Sequence, residues 1–229
     1  VYDDGDERVV LGANVYDGKF NTNIFNDTNG IDRAYLLTTM QPEAKKALVI
    51  GLSTGSWVKV LSMMPNLEEI TVLEINPGYK DLISSEPLVA DILKDKRIKF
   101  IFEDGRSWLK KNKENKYDII LMNTTWHWRA YVSNLLSIEF LKILDTSLNN
   151  DGVLYYNSTQ SMNAYSTAKQ VYPYVYKYKY FILASRNKKE VNVADVANKL
   201  CKLKDRVTNK PTFKDYKECY FAATKIMED

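Results

Sequence analysis

The chain has 229 residues, 45% of them hydrophobic and 27% charged, with a formal net charge of +3 at pH 7. This composition is ordinary for a globular protein, and the length allows one large domain or one domain with a small appendage. The near-neutral charge argues against a nucleic-acid-binding protein, which normally carries a concentrated basic face. The lysines gathered between Lys177 and Lys210 are interpreted as a solvated surface.

The cysteines and the apolar runs bear on the compartment. Cys201 and Cys219 lack CxxC spacing, which argues against a metal site or a disulfide scaffold and favours a reducing compartment. No apolar run approaches the roughly 20 residues of a membrane helix, and no signal peptide opens the sequence. We therefore expect a cytoplasmic protein without a metal. Because the first residue is Val1 and not methionine, the chain is also a candidate fragment of a longer protein.

Residues 1–35 differ from the rest of the chain in their pattern of apolar and turn-forming residues. The run VVLGANVYDGKFNTNIFND mixes alternating apolar residues with turn signals, notably Asp17-Gly18, and Asn29-Gly30 follows it. Such dipeptides between alternating apolar residues are typical of antiparallel hairpins. We predict a small N-terminal β unit over residues 1–35 and a second domain over residues 36–229.

From Ala47 onward, short apolar runs alternate with helical periods, the pattern of a parallel α/β sheet. Five runs are the predicted strands: ALVIGL, EITVLEI, RIKFIFED, YDIILMN and GVLYYNS. The helix after the first run carries an apolar stripe at helical spacing, formed by Trp57, Val60, Leu61 and Met64. Pro65 stops that helix, and Pro77 suits the start of the next.

The second half of the chain continues the pattern. The segment SNLLSIEFLKILDTSL predicts one helix capped by Ser133, and NNDG predicts a turn into the fifth strand. The tyrosine-rich VYPYVYKYKYFILASR predicts a sixth strand and a returning seventh. Residues 190–229 predict one or two helices with no assigned place.

The loop after the first strand is the first candidate site, because ligands of open α/β sheets bind beyond the carboxyl ends of the strands. The stretch GLSTGSW contains the candidate residues Gly51, Ser53, Thr54 and Gly55. Small residues let a backbone approach a ligand, and the following helix start offers free N–H groups. The same pattern also serves tight packing alone.

Two acids close the next two strands. Glu74 ends ITVLE, 74 − 51 = 23 residues after Gly51, near the roughly 20 expected of an acid that grips ribose hydroxyls. Asp104, with Gly105 after it, is placed either to accept from the exocyclic amine of an adenine or to cap a helix. Together with Ile75 beside Glu74, these residues predict an adenosine-containing ligand. Because the loop lacks GxGxxG spacing, an S-adenosyl compound is favoured over NAD.

The fourth strand runs into LMNTTWHWRAY, which holds His127, the chain's only histidine. An imidazole can act as a base near neutral pH, whereas the Asn123 amide cannot; His127 is equally well explained as a packed aromatic neighbour. The indoles of Trp126 and Trp128 can attract an ammonium or sulfonium cation or simply fill space under a lid. Arg129 would repel a polycation and suit a substrate that carries a carboxylate.

These motifs resemble the polyamine aminopropyltransferases, or spermidine synthases, from about Val15 to about Ser185. The resembling runs are YDGKFN, VIGLSTGS, ITVLEINP, FEDG, YDIILMNTT, HWRAYVSNLLS and GVLYYN. The resemblance implies a Rossmann-like domain of the class I S-adenosylmethionine methyltransferase type with a small N-terminal β unit. It implies decarboxylated S-adenosylmethionine as co-substrate, no metal, and transfer of an aminopropyl group to a small-molecule amine acceptor, leaving methylthioadenosine.

The resemblance also implies roles for single residues. Glu74 matches the family's ribose-binding acid, and Asp104 with Gly105 matches its adenine-side pair. Tyr16, Asp17 and Gly18 resemble the LDG stretch that helps close the active site, and Asn157 ends the LYYN run on the substrate side.

Two departures from the family pattern affect the chemistry. Thr54 stands where the family loop GGGDGG has an Asp that holds the aminopropyl amine. The run from Asn123 to Trp126 stands where the family has DSSD, so both acids of that motif are missing.

The departures leave alternatives open. The catalytic candidates are Asn123, His127 and Asp17, and Tyr16, Trp126, Trp128 and Asn157 are the substrate-binding candidates. A methyltransferase using intact S-adenosylmethionine and a catalytically idle binder of an adenosyl nucleoside are the alternatives to aminopropyl transfer. In particular, the sequence resembles a bacterial branch of the family in which such a domain follows a membrane-spanning region. Such a region before Val1, with the domain on the cytoplasmic face of a membrane, and a homodimer are expectations that the sequence does not decide.

Overall fold

Three short strands at the N-terminus form a sheet of their own in the computed structural model, which describes residues 1–5, 7–12, 14–124 and 132–228. The strands are β1 (Tyr2–Asp4), β2 (Glu7–Gly12) and β3 (Val15–Lys19). They pair antiparallel in the order β1-β2-β3. The predicted antiparallel sheet is confirmed, but Asp17-Gly18 lies within β3 and not in a turn between strands.

A short connection joins this small sheet to the rest of the chain. It contains a 3₁₀ helix (Ile24–Asn26) and leads into α1 (Asp32–Met40), so the predicted boundary after residue 35 falls inside a helix. Phe20 and Ile31 are buried in the same core cluster as α1 and the large sheet. The small sheet is therefore held against the large domain by shared apolar packing.

The large sheet has seven strands. They are β4 (Lys46–Ile50), β5 (Glu69–Leu73), β6 (Ile98–Ile101), β7 (Tyr117–Met122), β8 (Leu148–Asn157), β9 (Tyr174–Tyr178) and β10 (Phe181–Ser185). Their order is β6-β5-β4-β7-β8-β10-β9, parallel from β6 to β8, with β10 antiparallel to both of its neighbours. The chain leaves β4 in one direction and β7 in the other, which makes their carboxyl ends the switch point where ligands of such sheets bind.

Helices cover both faces of this sheet, and two core clusters result. One face carries α1, α2 (Ser56–Ser62), α3 (Gly78–Ser84), α8 (Val193–Leu200) and α9 (Tyr216–Met227). The other carries α4 (Gly105–Lys111), α6 (Ile138–Thr146) and α7 (Met162–Lys169). Along β4, Val49 faces the first cluster and Leu48 the second, as the two-residue period of a strand requires. Of the helices described here, none is long and apolar enough to cross a membrane.

Two local predictions are wrong. The single helix expected from Ser133 is divided into α5 (Val132–Leu135) and α6, because the Ser137 side chain caps α6 by accepting a hydrogen bond from the Phe140 backbone N–H. The residues NNDG lie within β8 and not in a turn before it. Pairing with β7 shifts from Leu148 to Val153, so these residues form an irregularity in the strand.

The C-terminal region, which the sequence did not place, packs α8 and α9 against each other and against α1. Cys201 and Cys219 form a disulfide across these two helices, with 5.6 Å between their Cα atoms. The expectation of no disulfide is therefore wrong for this pair. Spacing along the chain says nothing about two residues that helix packing brings together.

Candidate active site

Two adjoining cavities open at the carboxyl ends of the strands. The larger cavity, about 520 Å³, lies beside the ends of β4, β5 and β6; the smaller cavity, about 390 Å³, lies between the small sheet and the ends of β8 and β9. Both are lined by Asp17, Ser53, Asn123 and Thr124. A group bound in one cavity can therefore reach a group bound in the other at these residues.

The loop after β4 approaches the end of β7 closely because it contains a glycine at the contact. Gly51 has a φ of +91°, and a Cβ there would lie 2.6 Å from the Asn123 carbonyl oxygen. Ser53 also has a left-handed φ, of +49°. Gly51 and Ser53 line the larger cavity, and Thr54 lines the smaller one.

Gly55 differs from the other predicted loop residues because it lines neither cavity. Its φ is +76°, and a Cβ there would lie 2.9 Å from the Ile92 side chain and 3.0 Å from that of Ile83. The packing of the loop against these side chains explains this glycine, and its assignment as a ligand-binding residue stays a prediction.

Glu74 is a buried carboxylate in the larger cavity, with only 8% of its surface exposed. Its Oε2 accepts from the Leu52 N–H at 2.8 Å, and its Oε1 accepts from the Asn76 N–H at 2.9 Å. Burial raises the pKa of this carboxyl, and the backbone hydrogen bonds oppose that rise. The two amides hold the carboxylate in one orientation.

Asp104 lines the same cavity from the end of β6. Its Oδ1 accepts from the Ser107 N–H at 2.8 Å, so it also caps α4; the capping alternative therefore describes one of its oxygens. The next residue, Gly105, packs against Ile50, because a Cβ on Gly105 would lie 3.0 Å from the Ile50 side chain. Ile75 lines the cavity beside Glu74 and is 75% exposed.

The small sheet closes over the junction of the two cavities. The Asp17 carbonyl oxygen accepts from the Ser53 hydroxyl at 2.9 Å, and Asp17 Oδ2 accepts from the Tyr79 hydroxyl at 2.8 Å. A Cβ on Gly18 would lie 2.9 Å from Ser53 Oγ. The Asp17-Gly18 dipeptide of β3 is thus the point where the small sheet meets the loop after β4.

The smaller cavity is lined by residues from distant parts of the chain. Tyr16 donates from its hydroxyl to Asn29 Oδ1 at 2.7 Å. Asn157 accepts from the Thr159 N–H at 2.8 Å. Thr159 and Gln160 both have left-handed φ values, of 51° and 65°, a strain that non-glycine residues retain mainly at functional sites.

Sequence reasoning missed several residues that line these cavities. Asn76, Tyr79 and Arg106 line the larger cavity, and Asn29 and Arg33 line the smaller one. The Asn29-Gly30 turn signal marked the position of Asn29, whereas no local pattern distinguishes Arg33 from a surface arginine. The candidates Trp126, His127 and Trp128, together with Arg129, lie outside the described residues.

The fold is of the class I S-adenosylmethionine methyltransferase type, as predicted. Human methyltransferase-like protein 13 in complex with SAH superposes with a TM-score of 0.57 at 18% identity, over 80% of this chain and 92% of that one. A spermidine synthase in complex with the transition state analogue AdoDATO superposes with a TM-score of 0.63 at 17% identity, over 86% of this chain and 74% of that one. At such identities the likeness concerns the fold.

The sequence comparison goes further than the fold. Residues 35–203 match the family model of the spermine/spermidine synthase domain, so this chain belongs to the spermine/spermidine synthase family. The polyamine aminopropyltransferase of Clostridioides difficile (strain 630) is 31% identical over 140 residues, which are 56% of this chain and 49% of that protein. The chain thus spans about half the length of that relative.

Proposed function

We propose that this chain transfers the aminopropyl group of decarboxylated S-adenosylmethionine, or a related group of an adenosyl nucleoside, to an amine acceptor. The observation that carries the proposal is the pair of cavities that meet at Asp17, Ser53, Asn123 and Thr124. The larger cavity would hold the nucleoside and the smaller one the acceptor, so the reacting atoms would lie where the cavities meet. Membership of the spermine/spermidine synthase family supports the same reaction class.

The larger cavity has the chemistry that an adenosyl group needs. Each oxygen of Glu74 accepts one backbone N–H and keeps a second lone pair, so the carboxylate can still accept from two ribose hydroxyls. The Asp104 oxygen that does not cap α4 can accept from the adenine amine. Ile75, Leu73 and Leu135 add apolar surface for the base.

The transfer step needs a deprotonated acceptor amine. An alkyl amine has a pKa of about 10 and arrives as a cation near neutral pH. Its nitrogen must lose a proton and attack the methylene carbon bound to the sulfonium sulfur. The C–N bond forms, the C–S bond breaks with its electron pair going to sulfur, and neutral methylthioadenosine leaves.

We assign Asp17 as the base that accepts the proton from the acceptor amine. Among the described residues, it is the one carboxylate that lines both cavities, and the Tyr79 hydroxyl holds one of its oxygens. Asn123 sits at the same junction, where its amide oxygen can orient the amine but cannot take the proton. His127 stays the alternative proton acceptor. General-base help of this kind is worth about 10²–10⁴-fold in rate.

The test measures, by chromatography, the release of methylthioadenosine from decarboxylated S-adenosylmethionine in the presence of a small amine. Asp17→Asn should lower kcat by about 100-fold or more, because proton transfer from the amine loses its acceptor. Asp3→Asn is the matched control: Asp3 lies in the same small sheet with an 81% exposed side chain, and its loss should leave the rate unchanged.

Other products would overturn the proposal in distinct ways. Adenosylhomocysteine formed from intact S-adenosylmethionine would assign the chain to methyl transfer. Tight binding of methylthioadenosine with no transfer from either donor would assign it to the idle nucleoside binders. An unchanged rate in Asp17→Asn would remove Asp17 from the mechanism and leave His127 as the base to test.

A further inference from the structure

The smaller cavity carries one positive and one negative side chain. Among its described lining residues, Arg33 and Asp17 are the only charged ones, and the others contribute amides, hydroxyls and one indole. A linear polyamine has positive charge at both ends, so Arg33 would repel one of them. The charge pattern instead matches a molecule with an amine at one end and an anion at the other.

Arg33 is half-buried and has no carboxylate partner among the described residues. Two other cations that are at least partly buried differ: Lys59 pairs with Asp91 and Asp205, and Lys179 pairs with Asp32. Arg33 Nε donates to the Gly30 carbonyl at 2.8 Å and Nη2 donates to the Asn29 carbonyl at 3.0 Å. Within the described part of the chain, Nη1 has no acceptor. Even partial burial of a cation without a counter-ion is unfavourable, which favours a bound anion.

Two aromatic rings and a nearby glycine hold the Arg33 guanidinium in place. It lies 4.9 Å from the Phe181 ring centroid and 5.5 Å from that of Trp57. Gly30 has a φ of +62°, and a Cβ there would lie 2.3 Å from Arg33 Nη2. A glycine is therefore required at residue 30 to seat this guanidinium. A side chain immobilised in advance loses little entropy when it binds a ligand.

We infer that the smaller cavity binds a carboxylate through Arg33, so that one of the two substrates carries a carboxylate group. The inference rests on the proposed function, which assigns this cavity to the amine side of the transfer. A guanidinium pairs with a carboxylate through two parallel hydrogen bonds, a geometry that a diamine cannot offer. Asp17 then faces the amine and Arg33 the carboxylate of one zwitterionic molecule.

The carboxylate has two sources. It belongs either to the acceptor, as in an amino acid with a side-chain amine, or to the donor, as in intact S-adenosylmethionine. Thr54 lines this cavity at the place where the family loop has an Asp for the aminopropyl amine. With no acid at residue 54, a donor that keeps its carboxylate meets one fewer negative charge.

Two matched pairs of probes separate these sources. Ornithine and putrescine differ by one carboxylate, and so do S-adenosylmethionine and decarboxylated S-adenosylmethionine. Binding is measured by calorimetry on the full chain, the amines in the presence of methylthioadenosine and the donors alone. We expect the carboxylate-bearing member of one pair to bind at least tenfold more tightly, and the pair that shows this preference identifies the source.

Three variants test whether Arg33 causes the preference. Arg33→Gln should abolish it, and Arg33→Lys should retain part of it, because the charge stays while the paired hydrogen bonds are lost. Gly30→Ala should weaken it with the arginine still present, since the new Cβ displaces the guanidinium. Arg186→Gln is the control: Arg186 pairs with Asp145 away from both cavities, and the preference should persist.

Methylthioadenosine, which has neither an aliphatic amine nor a carboxylate, separates failure of the inference from failure of the proposed function. If each variant binds it like the original chain, the site is folded and the comparison stands. A preference that is absent in the original chain, or that survives in Arg33→Gln, overturns the inference and leaves the arginine a packing role. If the original chain does not bind methylthioadenosine, the proposed function is overturned instead.

Discussion

The two cavities are built in different ways. The larger cavity is formed mainly where three neighbouring strands end, and its polar groups, such as Glu74 and Asp104, are aligned by backbone amides next to them. The smaller cavity draws Tyr16 from the small sheet, Arg33 from α1, Asn157 from the end of β8 and Tyr180 from the turn before β10. The comparison shows that the larger cavity follows mainly from the order of the strand ends, whereas the smaller cavity depends on segments that are distant in the chain.

The largest expected effect comes from Gly51→Ala, which disturbs the contact between the β4 loop and Asn123, a residue that lines both cavities. The new Cβ would lie 2.6 Å from the Asn123 carbonyl oxygen in a backbone with φ of +91°. Strain and overlap together should cost about 3 kcal/mol or more of unfolding free energy and abolish methylthioadenosine binding. Denaturant titration and calorimetry measure the two effects.

Gly5→Ala is the matched control for backbone strain alone. Gly5 has a φ of +63° and nothing within 4 Å of a new Cβ, so it should lose only about 1 kcal/mol. Equal losses at both glycines would show that the close approach of the β4 loop to β7 contributes nothing.

Glu74→Gln should affect the nucleoside side only. The glutamine has one acceptor oxygen for the Leu52 and Asn76 amides, and it loses the charge that strengthens hydrogen bonds to ribose. We expect methylthioadenosine to bind about 10- to 100-fold more weakly, as hydrogen bonds to charged groups are worth about 1.5–3 kcal/mol. Glu69→Gln is the control, at the other end of β5 and paired with Lys99. Comparable weakening there would contradict the assignment.

The pH dependence of Glu74 provides a second signature. Burial raises its pKa above the ordinary 4.5 in the folded chain, so the unfolded state releases this proton first as pH rises. The stability linked to Glu74 is fully present below pH 4.5 and is lost as pH rises through the folded pKa. Nucleoside affinity should change in the opposite direction, falling as acid protonates the carboxylate. Both trends should disappear in Glu74→Gln, as measured by unfolding and binding across this pH range.

A smaller effect is expected at the junction, where Asn123→Asp introduces a carboxylate at the residue that the sequence resemblance matches to an acid of the family motif. If proton removal limits the rate, aminopropyl transfer should rise about tenfold, less than the roughly 10²–10⁴-fold of a full general base, because Asp17 already lies at the junction. Thr124→Asp is a useful comparison, because residue 124 lines both cavities as well but does not match the acid of the family motif. No gain in Asn123→Asp would mean that the missing acid is not what limits this site.

Local patterns predicted the larger cavity well because its parts lie within a few residues of strand ends. The runs ending at Ile50, Leu73 and Ile101 are apolar because helices cover both faces of the sheet, so the residues that follow them could be placed at one edge. The break before Ser137 escaped prediction because a serine at residue 133 offered an equally good cap. The disulfide and Arg33 escaped because their partners are distant in the chain.

The amino-acid sequence by itself determined the alternation of strands and helices and the family. It also placed the acids at residues 74 and 104 at the ends of strands, since each of these features depends on neighbouring residues. A membrane-spanning region before Val1 and a homodimer stay predictions. Only the tertiary structure decided that the Arg33 guanidinium lies against the stacked rings of Trp57 and Phe181, with Gly30 leaving room for it, because a side chain's charge environment depends on which distant segments surround it. Periodicity carries no information about such contacts, and packing alone creates them.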